Sequence, residues 1–108
     1  MQLPSLNERS ILCMSKNQAR NVLDGKDKNF TIVKNKHVKT QSLCAVYELV
    51  IQRKSDNRYF RDTYEIGRHQ CYDDWEDCKP VSMPWEDESP QFVEVFPVTK
   101  THTYIEYE

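Results

Sequence analysis

The run LCAVYELVIQR, Leu43–Arg53, constrains the fold more than any other stretch of this chain. Apolar and β-branched residues fill both alternating positions. As a strand it is therefore apolar on both faces and belongs inside a sheet, flanked on each side. Ser55-Asp56-Asn57 then supplies turn chemistry. Arg58–Ile66, RYFRDTYEI, returns as a second strand, antiparallel to the first, with aromatic rings to pair across it. Gly67 ends that strand.

The rest of the chain is placed around this hairpin. Ile11–Met14 is a short apolar run, read as a strand. Ser15-Lys16-Asn17-Gln18 has the form of a capping box, in which the Ser hydroxyl and the Gln amide satisfy two orphan N–H groups. Ala19, Val22 and Leu23 follow at i, i+3 and i+4, on one helical face. Gly25 is placed to take the left-handed residue that stops a helix. The expected helix is Lys16–Asp24. Phe30–Val33 reads as a strand, and Lys34–Lys39 as a basic loop or exposed strand. Gln91–Phe96 and Thr101–Glu108 read as strands joined through Pro97–Lys100.

Between the hairpin and those last strands lie residues 68–90, with Pro80, Pro84 and Pro90. Prolines at that density forbid a central strand or a helix interior. A long loop or covering flap is expected. The fold class that follows is α+β: one short N-terminal helix packed on a mainly antiparallel sheet of four to six strands, with closure into a small barrel as an alternative. One domain should cover residues 1–108.

The same proline-pinned segment carries the least ordinary composition. The pattern Trp-Glu-Asp-x-x-Pro starts at Trp75 and again at Trp85. Asp73, Asp74, Glu76, Asp77, Glu86, Asp87 and Glu88 place seven carboxylates in 16 residues. In an extended chain at about 3.3 Å per residue, the four acids of Asp73–Asp77 span roughly 13 Å. That is about one charge per 3 Å, close to the phosphate density of a nucleic-acid strand. Such a stretch suits a basic surface that normally takes DNA or RNA, with Trp75 and Trp85 as anchors and the acids giving steering and specificity. The competing reading is a solvated loop whose tryptophans fold back into the core and whose acids pair with the basic first half. That half is real: residues 1–61 hold 12 Lys/Arg against 5 Asp/Glu, and residues 62–108 hold 3 against 12.

The basic segment offers an alternative site. Lys26, Lys28, Lys34, Lys36 and Lys39, with His37 among them, could follow a phosphate backbone. Phe30 is the one aromatic interleaved, so base stacking has little support. No catalytic or metal motif is recognisable. His37, His69 and His102 fall in no nucleophile or metal pattern. The four cysteines, Cys13, Cys44, Cys71 and Cys78, lack C-x-x-C spacing, although a bridge or metal set around His69, Cys71 and Cys78 has the right residue types. Calcium loops need a Gly at the sharp turn, which the acidic stretch lacks. The chain is expected to be no enzyme and to hold no cofactor or metal. It has no apolar run near the roughly 20 residues of a membrane span. Its first ten residues carry no signal-like pattern, so a cytoplasmic location is expected.

Two resemblances add to this. ILCMSKNQARNVLDGKDK (Ile11–Lys28) resembles the opening of the ASCH domains, small barrels thought to bind RNA. That family's Gly-x-Lys, acidic residue and Arg pattern is not met by Gly25-Lys26-Asp27, and no site residue carries over. The second half, with DDWED and FVEVFPVTKTHTYIEYE, is similar in style to small accessory proteins of bacterial viruses. That likeness implies an inhibitor of a host protein, including nucleic-acid-targeting defence systems, as anti-CRISPR proteins are. The expected partner is then a host protein with a basic surface, met in the host cytoplasm.

Overall fold

The structure, a computed structural model, describes residues 3–41, 44–67, 84–85, 89–99 and 104–108. After a short 3-10 turn at Leu6–Glu8 come strand β1 (Ile11–Cys13) and helix α1 (Lys16–Leu23). Strands β2 (Phe30–Gln41), β3 (Cys44–Arg53) and β4 (Arg58–Gly67) follow. The last three are β5 (Gln91–Val95), β6 (Pro97–Thr99) and β7 (Ile105–Tyr107). Strands β1 to β5 form one antiparallel sheet in the order β1-β5-β4-β3-β2, and β6 pairs with β7 in a second, two-stranded sheet. The class is α+β as expected. Among the described residues the large sheet is open, with β1 and β2 as its two edges, and no closed barrel is shown.

The helix forms for the reasons its sequence gives. Ser15 lies in extended backbone and its hydroxyl accepts the Gln18 N–H at 3.1 Å. The Gln18 amide does not return the bond as a full capping box would; it reaches Asp27 Oδ2 at 3.5 Å. At the other end Gly25 takes φ +74°. The Gly25 N–H donates to Val22 O at 3.0 Å and the Lys26 N–H to Asn21 O at 2.8 Å. This is the Schellman arrangement, and it satisfies two carbonyls that the helix cannot. Ala19 and Val22 are buried against the sheet.

Strand β3 is interior, between β4 and β2, as its two apolar faces require. Leu49 and Ile51 enter the core under the helix, while Val46 and Val50 are buried on the opposite face. The β3–β4 turn is locked by charge. Arg53 holds Asp56 through two guanidinium contacts of 3.1 and 2.6 Å, and Asn57 takes the left-handed position at φ +59°. The fork–fork contact with Arg53 comes first among the causes that lower the Asp56 carboxyl to about 2.

Of the two alternatives for Lys34–Lys39 the exposed strand is the one found, as part of β2, which runs unbroken through it. One stretch differs from expectation. Pro97–Thr99, expected to be a connector, is itself β6. Proline is tolerated there because it opens the strand. Phe96 and Glu108 exchange both backbone hydrogen bonds, at 2.7 and 2.9 Å, and so extend the small ladder. Tyr59 and Arg61 alternate with the core residue Phe60 and therefore face away from the helix. The Tyr59 and Tyr107 rings lie 5.1 Å apart, and Arg61 donates to Tyr107 O at 3.2 Å. The C-terminal hairpin thus contacts the face of the sheet opposite α1. No helix among the described residues is long and apolar enough to cross a membrane.

Candidate functional site

Of the acidic, tryptophan-containing set, the structure describes Trp85. Asp73, Asp74, Trp75, Glu76, Asp77, Glu86, Asp87 and Glu88 lie outside the described residues. Trp85 was expected to anchor a partner. It is instead 5% exposed and belongs to the core cluster. Its indole N–H donates to Asp62 Oδ2 at 2.9 Å. Its ring lies 5.2 Å from Tyr64 and 5.9 Å from Phe92. A ring so placed holds chain to sheet and presents almost no surface to a partner. The residue sits at φ +57°, in the left-handed region that costs a non-glycine residue of order 1 kcal/mol or more. Burying the indole offsets that cost.

Trp85 does not act alone. The Pro84 carbonyl accepts from Arg20 Nε at 3.0 Å, tying the same dipeptide to α1. Pro84 is buried too. The dipeptide is therefore clasped from two sides, by the helix through Arg20 and by β4 through Asp62. Neither partner is evident from local sequence. One signal does exist for Asp62. It shares a strand face with Phe60, Tyr64 and Ile66, and a carboxylate on a core-facing position calls for a buried donor.

Trp85 also joins a row of rings across the sheet. His37 meets Tyr47 edge-on at 5.4 Å, and Tyr47 stacks on Tyr64 at 5.3 Å with 9° between planes. Tyr64, Trp85 and Phe92 complete it. Tyr64 is buried, and its hydroxyl donates to Asn35 Oδ1 at 2.7 Å. Burial pushes that hydroxyl's pKa up, against the opposing pull of the Asn35 bond.

The basic set divides. Lys26 and Lys28 are exposed in the connection between α1 and β2. Lys34, Lys36 and Lys39 stand on β2, opposite Val50, Glu48 and Val46 respectively. Lys34 forms an ion pair with Glu48 at 3.1 Å. His37 faces the other way, toward Tyr47, and its Nε2 lies 2.9 Å from the Thr40 hydroxyl. Cys13 is exposed and Cys44 half-buried, both as free thiols. Among the described residues no group of three His, Cys, Asp or Glu could hold a metal ion. Cys71, Cys78, His69 and His102 lie outside those residues.

No family model matches the chain, and no curated protein or solved structure matches it.

Proposed function

We propose that this protein is a small binding protein that inhibits a host nucleic-acid-binding or defence protein. It acts by occupying a basic surface with the acidic segment 73–88. One observation supports the reading above the others, the clasp on Pro84–Trp85. Residues 68–83 run between two buried points, Gly67 at the end of β4 and Pro84 under Arg20. Both ends of the segment are thus tied to the same sheet. Fixing the ends of a binding segment lowers the entropy lost when a partner orders it.

The two tryptophans of the repeat then have different tasks. Trp85 secures the segment. Trp75 is left as the anchor, beside Asp73, Asp74, Glu76 and Asp77, whose carboxylates take the place of phosphates. The partner is a protein whose basic surface otherwise binds nucleic acid.

The test is a tagged pull-down from bacterial lysate, with and without nuclease and with duplex DNA as competitor. The comparison variant is Asp73→Asn/Asp74→Asn/Glu76→Gln/Asp77→Asn, checked for folding by circular dichroism. The expected result is one dominant protein that survives nuclease, is displaced by excess DNA and is lost with the variant. Undiminished capture by the folded variant would end the proposal.

A further inference from the structure

The edge strand β2 carries a second surface, independent of the acidic segment. Its pairing with β3 shifts twice, between Ile32 and Lys34 and between His37 and Lys39. Val33 and Val38 are the extra residues at these bulges. The second shift matters most. Lys36 and Lys39 are three residues apart, so in a regular strand they would point to opposite faces. The extra residue at Val38 restores the phase, and Lys34, Lys36 and Lys39 all stand on the face opposite the helix. Their partners Val50, Glu48 and Val46 are evenly spaced along β3. The three lysine positions are therefore about 6.8 Å apart, two strand residues each. The roughly 3.4 Å rise per phosphate of a DNA strand runs along the duplex axis, and the strand also winds about that axis, so neighbouring phosphates are about 7 Å apart, close to the lysine spacing.

We infer that the Lys34–Lys36–Lys39 row binds the phosphate backbone of duplex nucleic acid, one lysine to each of three neighbouring phosphates of a strand. The same bulges argue against an acidic peptide adding to this edge as a further strand, because they interrupt the regular ladder such pairing needs. Single-stranded nucleic acid is also disfavoured. Among the described residues the rings next to the row, His37 and Tyr47, are on the other face. Tyr59 and Tyr107, which share the row's face, lie two strands away at β4 and pack on each other, so little stacking surface adjoins the lysines. Glu48, paired with Lys34, and Glu65, opposite Val46 on β3, face the same way and reduce the local charge. Binding should be weak and indifferent to sequence, in the range of about 1 to 100 µM typical of non-specific contact.

The experiment is fluorescence anisotropy of a short labelled DNA duplex with the full chain over a series of salt concentrations. Three phosphate contacts give a slope of log K against log salt of about −2.7. Lys36→Gln/Lys39→Gln should reduce its magnitude by about 1.8. Lys26→Gln/Lys28→Gln removes the same charge away from the row and should leave the slope nearly unchanged. Equal loss in both variants would show only net charge at work and would overturn the inference. So would no binding at low salt, tighter binding of polyglutamate than of DNA, or equal binding of single strands. The acidic segment is untouched in every variant, and running the DNA-competition arm of the pull-down with Lys36→Gln/Lys39→Gln keeps the two tests distinguishable.

Discussion

Replacing Trp85 is the sharpest check on how the second Trp-Glu-Asp unit is used. The indole is 5% exposed, contacts Tyr64 and Phe92, and donates to a carboxylate. Truncating a buried aromatic to alanine costs about 3–5 kcal/mol, from lost transfer energy and the cavity left behind. Trp85→Phe keeps most of the ring but loses the N–H donor. A hydrogen bond to a charged group contributes about 1.5–3 kcal/mol. Asp62 is half-buried and also accepts from the Thr63 N–H at 2.8 Å, so the lower end, about 1.5 kcal/mol, is expected. For a chain near 100 residues each kcal/mol moves the melting temperature by about 4–8 °C. Trp85→Ala should then melt at least about 12 °C lower and Trp85→Phe about 6–12 °C lower. Urea unfolding followed by far-UV circular dichroism would read both. A Trp75→Phe background would leave Trp85 as the sole indole, with fluorescence reporting its burial directly. A loss below about 1 kcal/mol for Trp85→Ala, at unchanged denaturant slope, would refute the clasp and leave the indole free for a partner.

Other expectations follow from single contacts. Asp56 is held at about 2 in the fold, against an ordinary 3.8, chiefly by Arg53. A lowered carboxyl stabilises the fold above its unfolded pKa, and the contribution is lost as pH falls from about 4 through about 2. The gap in melting temperature between the native chain and Asp56→Asn should close over that window; a gap independent of pH would deny the ion pair any role. A Cβ at Gly25 would meet nothing within 4 Å, so Gly25→Ala should cost only the left-handed backbone, about 1 kcal/mol, by urea melt. Tyr64→Phe removes the donor to Asn35 and should cost about 1 kcal/mol. It should also flatten the fall in stability above pH 10, where a tyrosine with a raised pKa resists ionising until the chain unfolds.

What could be read from sequence is what local chemistry decides. Ser15 and Gly25 bound the helix because capping needs only neighbouring groups. Leu43–Arg53 declares an interior strand because both its faces are apolar. Strand β2 was harder. Its lysines and His37 give no period-2 apolar pattern, and the extra residues at Val33 and Val38 break what phase there is. The acidic neighbours of Trp85 suggest a partner anchor, whereas its burial depends on Arg20, Asp62, Tyr64 and Phe92, brought together from α1, β4 and β5. The aromatic row from His37 to Phe92 has the same origin. The sharing of one face by Lys34, Lys36 and Lys39 depends on a bulge, which composition does not reveal.

The place of β1 in the sheet has a consequence for how the chain is made. Ile11 pairs with Val93, almost the whole length of the chain away, whereas β2, β3 and β4 pair with their sequence neighbours. On a ribosome the three-stranded meander can form while synthesis continues. Strand β1 and the face of α1 must wait, since their partner Phe92 emerges only after the whole meander. Closure that depends on so distant a pairing is slow, because a long loop must be ordered before any contact rewards it. Until then the exposed edge of β4 and the apolar face of the helix are open to whatever else is nearby, and the newborn chain is most vulnerable between the emergence of the meander and that of β5.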